Sequence, residues 1–410
     1  MFTTRRITTS GGDKFRDEYS LAFDGTDDYI VTGLAGSAFD GNFTISAWVK
    51  NDIEDIYHSI FSHYVDDNNY IQLYIPKSSA THANKAIFSG TIGGSSLYVT
   101  GSTAIFATDA WVHLVFTQDD DANAQVIYIN AVSDATETRD WDMDYAGTTY
   151  IGRKSPSDAH IHQGNISEIA VYDKALSASE VKTLYNGREP YNHKEGVCSS
   201  NLQAWWRMGD GSSNNRKFQY IENSSSSAGS KLIMSSTFDS DEDGWVDYSS
   251  GTVARSTDIS SHSGSAGVLK CTTDTTSQWL GKTANITSGM ESGKIYIAEG
   301  YVYIPSSWSG TRDIYIYSAD QFGDSATNIG EHDYNIAQHE TKDEWQHIFY
   351  TFLCKEDSGS GAIYLRAAGG DNLEDGDFVY LDDFKITEID KLNSGVIINM
   401  DTISFEGDTP

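Results

Sequence analysis

The sequence predicts an all-β protein made of two tandem β-sandwiches, and the resemblances given below imply that both are of the jelly-roll type. Short runs in which apolar and polar residues alternate recur along most of the chain, as strands with one buried face require. Breaks rich in Asp, Asn, Ser and Gly separate these runs, which is typical of short antiparallel strands. The length of 410 residues fits two domains of ordinary size.

The composition divides the chain into five parts. They are an N-terminal arm, a first sandwich, a junction, a second sandwich and a C-terminal tail, at residues 1–17, 18–192, 193–231, 232–390 and 391–410. The junction is rich in Asn, Ser and Gly, a composition typical of linkers and surface loops. The tail contains the apolar run Val396–Met400, which leaves two arrangements open. It adds a strand to a neighbour, or it folds back on the second sandwich.

The formal net charge is −31, from 59 acidic and 28 basic side chains. Such a chain repels nucleic acid and anionic membranes, and no apolar run is long enough for a transmembrane helix. We therefore expect neither a nucleic-acid partner nor membrane insertion. Residues 1–12 lack the apolar core of a signal peptide, and three cysteines are too few for a disulfide framework. We expect free thiols and synthesis in a reducing cytoplasm.

Positive charge is concentrated at the start of the chain. Within residues 1–17 the basic side chains are Arg5, Arg6, Lys14 and Arg16, against Asp13 and Asp17. Two interpretations remain open. The segment is either a disordered terminus or an attachment arm that docks on an acidic scaffold through weak, salt-sensitive ion pairs.

One stretch of the first sandwich combines a strand, a tight turn and a short helix. Residues 164–172 alternate as a strand does, Ser177 and Glu180 form a capping box, and Asn186-Gly187 provides a left-handed stop. Four other segments precede it in order: Ser20–Tyr29, Phe43–Val49, Trp111–Thr117 and Tyr150–Gly152. Together they resemble laminin-G-like domains of the concanavalin A type, in the subgroup common in bacterial surface proteins and phage virions. The resemblance implies a two-sheet sandwich but no reaction.

A second ordered set of segments lies between residues 232 and 390. Its members are Thr237–Asp239, Gly244-Trp245, Ser292–Tyr296, the strand that begins at Trp345, and Tyr380–Phe384. This set resembles the jelly rolls of carbohydrate-binding modules attached to many glycanases. The resemblance implies a second sandwich of a glycan-binding type.

The strongest chemical signal is the run Asp239–Gly244. Acidic residues at its first, third and fifth positions and glycine at its sixth match the first half of an EF-hand calcium loop, although Ser250 replaces the glutamate at position twelve. The carbohydrate-binding-module resemblance implies calcium held between this run and the closing strand. We expect calcium at Asp239, Asp241, Asp243, Asp382 and Asp383, and the alternative is an acidic turn without an ion. In the first sandwich, Asp24, Asp27 and Asp28 are expected to cap a turn, and the alternative is that they hold an ion.

Tyrosines that alternate with apolar neighbours are candidates for stacking on sugars: Tyr315, Tyr317, Tyr350 and Tyr364. Because each sheet has one buried face, some of them must face outward, but core packing is the favoured interpretation for any single one. No zinc-protease motif and no Glu-x-Asp-x-x-Glu strand of sandwich-fold glucanases occurs, so no catalytic residue is assigned and no enzyme is expected. His160 and His162 are expected in a solvated loop rather than in a metal site.

These features predict a non-enzymatic virion surface protein, in the role of a capsid decoration, head fibre or tail-associated protein. It would be made in the host cytoplasm, assemble with capsid or tail proteins as a homo-oligomer, and bind host glycans through its lectin-like domains. The alternative is a secreted or cell-surface glycan-binding module of a bacterium. A third class is a glycan-active enzyme, which turnover on a polysaccharide panel would reveal.

Overall fold

A computed structural model describes residues 19–398 and 405–406 with internal gaps. The gaps are residues 53–54, 106–109, 140–146, 156–159, 189–190, 209–219, 222–229, 250, 274–278, 285, 287–288, 292–293, 312, 319–333, 336, 355–361, 368–374 and 390–394. The basic side chains Arg5, Arg6, Lys14 and Arg16 lie outside the described residues, and so does the serine run at 224–227.

The first half folds into antiparallel strands and one α-helix. The strands are β1 (Ser20–Asp24), β2 (Tyr29–Thr32), β3 (Phe43–Asn51), β4 (His58–Asp66), β5 (Asn69–Ile75), β6 (Lys85–Ile92), β7 (Ser95–Ala104), β8 (Val112–Asp119), β9 (Ala124–Ile129), β10 (Val132–Thr138), β11 (Thr148–Ile151), β12 (Gln163–Tyr172) and β13 (Leu202–Trp206). The helix is α1 (Ala178–Tyr185), and short 3-10 turns occupy Gly36–Phe39, Asn186–Arg188 and Ser199–Asn201.

These strands form two sheets that face each other across an apolar core. Sheet 1 has the order β10-β9-β8-β3-β12-β1, with β13 also paired to β12, and sheet 2 contains β2-β11-β4-β5-β6-β7. Phe43, Phe88 and Phe116 fill the core, where the rings of Phe88 and Phe116 stack at 3.5 Å between centroids. The predicted β-sandwich is confirmed.

Helix α1 covers the outer face of sheet 1. Its predicted capping box is present: Ser177 accepts from the backbone N–H of Glu180, and the Glu180 side chain accepts from the Ser177 N–H. Asn186 ends the helix in the left-handed conformation with φ 46°. Val181 and Leu184 are buried against Trp205 and its neighbours, so the helix is held by packing as well as by its cap.

The second half contributes a second sandwich. Its strands are β15 (Ser230–Ser236), β16 (Trp245–Val246), β17 (Thr252–Ser256), β18 (Val268–Thr272), β19 (Trp279–Thr283), β20 (Ile295–Tyr303), β21 (Ile314–Ser318), β22 (Tyr334–Asn335), β23 (Trp345–Leu353), β24 (Ile363–Ala367) and β25 (Phe378–Ile389), and the junction before them contains β14 (Tyr220–Ile221). Sheet 3 has the order β17-β18-β25-β20-β23-β22 with β15 also on β25, and sheet 4 has the order β16-β19-β24-β21. Cys271 and Cys354 are buried in the core between them and form no disulfide.

The junction and the tail both return to the first sandwich. Tail strand β26 (Gly395–Ile398) pairs with β2, and junction strand β14 pairs with the other side of β26. A last strand, β27 (Phe405–Glu406), pairs with β1 of sheet 1. Of the two arrangements left open for the tail, the structure has strand addition to the neighbouring sandwich.

The two sandwiches also meet through side chains. Residues on the outer face of sheet 2 and on the outer face of sheet 3 form one buried apolar cluster: Tyr29, Val31, Tyr150, Ile295, Ile297, Phe349 and Ile389, with Tyr64 at its margin. We call this cluster the interdomain cluster. It shows that the sandwiches are packed against each other as well as connected by the chain.

Candidate functional site

The outer face of sheet 4 carries a group of aromatic side chains. Along β19, β21 and β24 the apolar residues Leu280, Ile316 and Leu365 point into the core, because successive strand residues face opposite sides. The residues between them face outward and are half-buried. We call the outward set the aromatic platform: Tyr248, Trp279, Tyr315, Tyr317 and Tyr364, together with Arg366 and Lys282.

Strand register brings the platform rings into contact. Tyr317 lies directly opposite Tyr364, and Trp279 lies opposite Arg366. The Trp279 ring centroid is 5.1 Å from that of Tyr364 and 5.9 Å from that of Tyr317. Tyr248 completes the group at 4.8 Å from Tyr364. Such distances are those of favourable edge and tilted aromatic pairs.

Two close backbone contacts of Gly251 fix the positions of Tyr248 and Trp279. Tyr248 and Gly251 exchange two backbone hydrogen bonds, of 3.1 and 3.0 Å, across a short turn. A Cβ atom at Gly251 would lie 2.2 Å from the carbonyl oxygen of Trp279. Because such an overlap is forbidden, only glycine allows this turn to lie against β19.

Arg366 lies among the rings of the platform. Its Cζ atom is 4.7 Å from the Trp279 ring centroid, 5.5 Å from that of Tyr317 and 5.8 Å from that of Tyr315. Cation–π attraction to several rings holds the guanidinium in a fixed position. Its buried Nε atom has no hydrogen-bond partner among the described residues. An unsatisfied buried donor costs free energy, so this N–H favours an acceptor brought by a ligand.

The platform is positively charged in an acidic protein. Lys282 lies 5.3 Å from the Tyr248 ring centroid, which adds a second cation beside Arg366. The chain as a whole has a net charge of −31. Aromatic faces with two fixed cations suit a ligand that has apolar ring surfaces and negative charge.

Three of the four predicted tyrosines belong to this platform and the fourth does not. Tyr315, Tyr317 and Tyr364 are brought together, whereas Tyr350 is 5% exposed and packs in the core beside Phe352. The prediction for Tyr350 as a sugar-stacking residue is therefore corrected. On β23 the alternation places Tyr350 on the same inward side as Ile348.

Sequence reasoning missed Tyr248, Trp279, Lys282 and Arg366. The sequence did contain a signal for Arg366. Side chains two residues apart in a strand lie on the same face, so Arg366 must share the face of Tyr364. Trp279 and Lys282 join this face on β19 across a bulge between Trp279 and Gly281, which interrupts simple alternation.

The carboxylates of the acidic run Asp239–Gly244, which was expected to bind calcium, accept hydrogen bonds from backbone N–H groups of the chain. Asp239 accepts from the Ala266 N–H at 2.6 Å, and this hydrogen bond lowers the pKa of Asp239. Asp243 accepts from the N–H groups of Thr237 and Phe238, at 2.8 and 2.6 Å. Asp241 in turn accepts from the Asp243 N–H at 2.8 Å. The run is thus arranged as a hydrogen-bonded turn.

The closing-strand pair is likewise engaged, by His262. Asp382 is fully buried, accepts from the His262 N–H at 2.7 Å, and has its pKa raised by that burial. Asp383 lies 2.8 Å from the His262 Nδ1 atom. The five aspartates do not bring three ligand atoms within 4.8 Å of one another, so they fit an ion poorly as arranged and calcium stays a prediction.

Among the described residues, three acidic, histidine or cysteine ligand atoms lie within 4.8 Å of one another at one place only, which is formed by Asp24, Asp27 and Asp28. There the Asp24 carboxylate accepts from the Thr26 N–H at 2.7 Å, and Asp28 accepts from the Asp24 N–H at 2.8 Å. These bonds are those of a capped turn.

A second expectation for this sandwich concerned its histidines. The expectation that His160 and His162 lie in a solvated loop is wrong for His162, which is fully buried.

The geometry defines a protein of two tandem jelly rolls, the second of which has a cationic aromatic face. Comparison with known families identifies both. Residues 24–182 match the concanavalin A-like lectin/glucanases superfamily, and residues 230–371 match a carbohydrate binding domain family. Each match covers less than half of the chain, and each confirms the predicted resemblance of its half to a concanavalin A-like jelly roll and to a carbohydrate-binding domain.

Likeness to solved structures is limited to the fold. A putative carbohydrate-binding protein from Bacteroides ovatus has 17% identity, with 51% of this chain and 56% of that chain covered and a TM-score of 0.38. Domain 4 of an extracellular arabinanase from Geobacillus stearothermophilus, in complex with arabinotriose, has 22% identity, 40% and 76% coverage and a TM-score of 0.33. A heptameric pentraxin from Limulus polyphemus has 15% identity, 41% and 82% coverage and a TM-score of 0.34. No curated protein matches the chain.

No helix among the described residues is long and apolar enough to cross a membrane.

Proposed function

We propose that the protein binds an acidic glycan on the aromatic platform, without catalysing a reaction on it. The observation that carries the proposal is the Arg366 guanidinium, which is surrounded by the rings of Trp279, Tyr315 and Tyr317 and has a buried Nε without a partner in the described part of the chain. A sugar carboxylate is the ligand group that satisfies this donor and the charge together.

The rings supply the second part of recognition. Sugar rings present apolar C–H faces, and aromatic side chains bury such faces at a low cost in conformational entropy. Trp279 has contacts with Tyr317, Tyr364 and Arg366, so its loss disturbs both parts of the platform. Removal of a central tryptophan typically costs about 2 kcal/mol or more, which is about 30-fold in Kd.

The test is calorimetric titration of the full chain with a uronic-acid oligosaccharide and with its carboxyl-reduced, neutral counterpart. We expect the acidic ligand to bind more tightly, Arg366→Gln to remove that preference, and Trp279→Ala to weaken binding about 30-fold. Trp345→Ala is the matched control, because Trp345 lies on sheet 3 and not on the platform. Equal binding of both ligands by wild type and Arg366→Gln contradicts the proposal.

We propose further that this glycan-binding chain is a virion surface protein, as a capsid decoration, head-fibre or tail-associated component made in the host cytoplasm. The buried cysteines Cys271 and Cys354, which form no disulfide, support folding in a reducing compartment. The strong negative charge supports repulsion of the sandwiches from acidic particle surfaces, with the basic arm as the docking element. The alternative, a secreted or cell-surface module of a bacterium, places the same platform in another setting.

Two measurements separate these settings. Mass spectrometry of purified particles and of secreted protein shows where the chain occurs. Deletion of residues 1–17, followed by mixing with particles that lack the protein, tests the arm. If the shortened chain decorates the particles as well as the full chain does, the arm is not the anchor.

A further inference from the structure

The tail closes one edge of each sheet of the first sandwich. In sheet 2, β2 pairs with β11 on one side and with β26 on the other. In sheet 1, β1 pairs with β12 on one side and with β27 on the other. Two short strands from residues 395–406 therefore occupy two edges that the rest of the first sandwich leaves available.

The edge of β2 is covered in this structure. All four residues of β2, from Tyr29 to Thr32, are buried with β26 in place. Without β26, the N–H and C=O groups that β2 directs to this edge would lose their main-chain partners and be open to pairing with another strand. Pairing continues over four consecutive residues, from Tyr29 opposite Ile398 to Thr32 opposite Gly395. On the far side, Tyr220 and Ile221 pair with Val396 and Gly395, so β26 is an inner strand.

We propose that the edges of β1 and β2 form a strand-acceptor site, which binds strands β26 and β27 from a second copy of this chain as well as from its own. Strand addition is held mainly by main-chain hydrogen bonds, and these depend on register and not on which copy supplies the strand. Exchange of an identical element between copies keeps the same main-chain pairing, and it gives a direct route to a homo-oligomer.

The test begins with the intact, folded chain, into which a specific protease site is inserted after Asp390. After cleavage, we expect the released segment to stay with the protein through gel filtration. An excess of a fluorescent synthetic peptide of residues 391–410 should then replace it and bind with 1:1 stoichiometry. Uncut protein should bind the peptide only as fast as its own tail is released.

A matched pair of peptides makes the test specific. An Ile397→Pro peptide should bind at least tenfold more weakly, because proline removes an N–H and is excluded from inner strands. A Thr409→Pro peptide carries the same change near its end and should bind as the unmodified peptide does. The proposal is overturned if the released segment elutes separately, if no exchange occurs, or if the two proline peptides bind equally.

If cleavage unfolds the protein, hydrogen exchange on the uncut chain decides instead. In the Ile397→Pro variant, amides of β2 should exchange faster than in wild type, while the Thr409→Pro variant should match wild type. Unchanged protection of β2 in both variants shows that the edge needs no occupant and overturns the proposal.

Discussion

Replacement of Ile297 by alanine tests whether the interdomain cluster joins the two sandwiches into one cooperative unit. Ile297 lies on β20, is 3% exposed, and packs among residues of both sandwiches, including Tyr29 and Val31 of β2. Its side chain points away from the core of its own sandwich, because its neighbours Tyr296 and Ala298 belong to that core. The substitution therefore removes contact between the sandwiches while leaving each core intact.

The size of the effect follows from the burial. Truncation of a buried isoleucine to alanine costs about 2 to 5 kcal/mol, through lost burial and the cavity left behind. For domains of this size, each kcal/mol shifts Tm by about 2 to 4 °C. We expect wild type to unfold in a single calorimetric transition, and the variant to unfold at least about 4 °C lower, with two transitions beginning to separate.

Ile316→Ala is the matched control, since Ile316 is 1% exposed and lies in the core of the second sandwich. It deletes the same atoms but should destabilise the second sandwich without weakening its contact with the first. The reasoning is refuted if wild type already shows two independent transitions, or if Ile297→Ala leaves both Tm and the shape of the transition unchanged.

Three further predictions concern charge and protonation. Burial lowers the pKa of His113 and His193 to about 3 and holds the pKa of His162 well below 6.5. Because the unfolded chain then binds protons that the folded chain does not, the first sandwich should lose about 1.4 kcal/mol of stability per histidine for each pH unit below 6.5. Denaturant titrations at several pH values measure this loss. Burial raises the pKa of Glu180, but hydrogen bonds from a thiol, an ammonium and the helix cap outweigh it and bring the pKa from 4.5 to about 2. Glu180→Gln should therefore cost about 1 kcal/mol at pH 7, and the difference should shrink as the pH falls from 4.5 towards 2. The calcium prediction requires that chelation lower the Tm of the second sandwich and that Asp239→Asn remove this effect, and an unchanged Tm contradicts it.

Local patterns predicted the local structures well. The capping box at Ser177 and Glu180 was readable because both partners lie within one helical turn. The grouping of Tyr315 with Tyr317 on one face of their strand was readable from alternation, but the direction of that face was not. Alternation needs only a few consecutive residues, whereas the direction depends on what covers the strand.

Tyr350 shows where such reasoning ends. Strand β23 has apolar residues on both faces, since Tyr350 faces the core while Phe349 faces the first sandwich. With both faces covered, alternation does not indicate which side is solvent-exposed. The same limit applies to the tail, because main-chain pairing between β26 and β2 depends on the positions of distant segments and not on the residues of either strand.

The placement of the interdomain cluster determines how the platform can be used. The cluster lies on the outer face of sheet 3, and the platform lies on the outer face of sheet 4. Both sheets have their inner faces on the same core, so the cluster and the platform lie on opposite sides of the second sandwich. The platform therefore points away from the first sandwich and from the tail that is paired with it.

A last prediction follows from this arrangement. Ile297→Ala should lower stability and yet leave the Kd for an acidic oligosaccharide unchanged within about twofold, because no platform residue belongs to the interdomain cluster. Isothermal titration well below the Tm of the variant measures this directly, with Trp279→Ala as the variant that should lose affinity. A parallel loss of affinity in Ile297→Ala would mean that packing of the first sandwich positions the platform, and the assignment of the two faces to separate roles would be wrong.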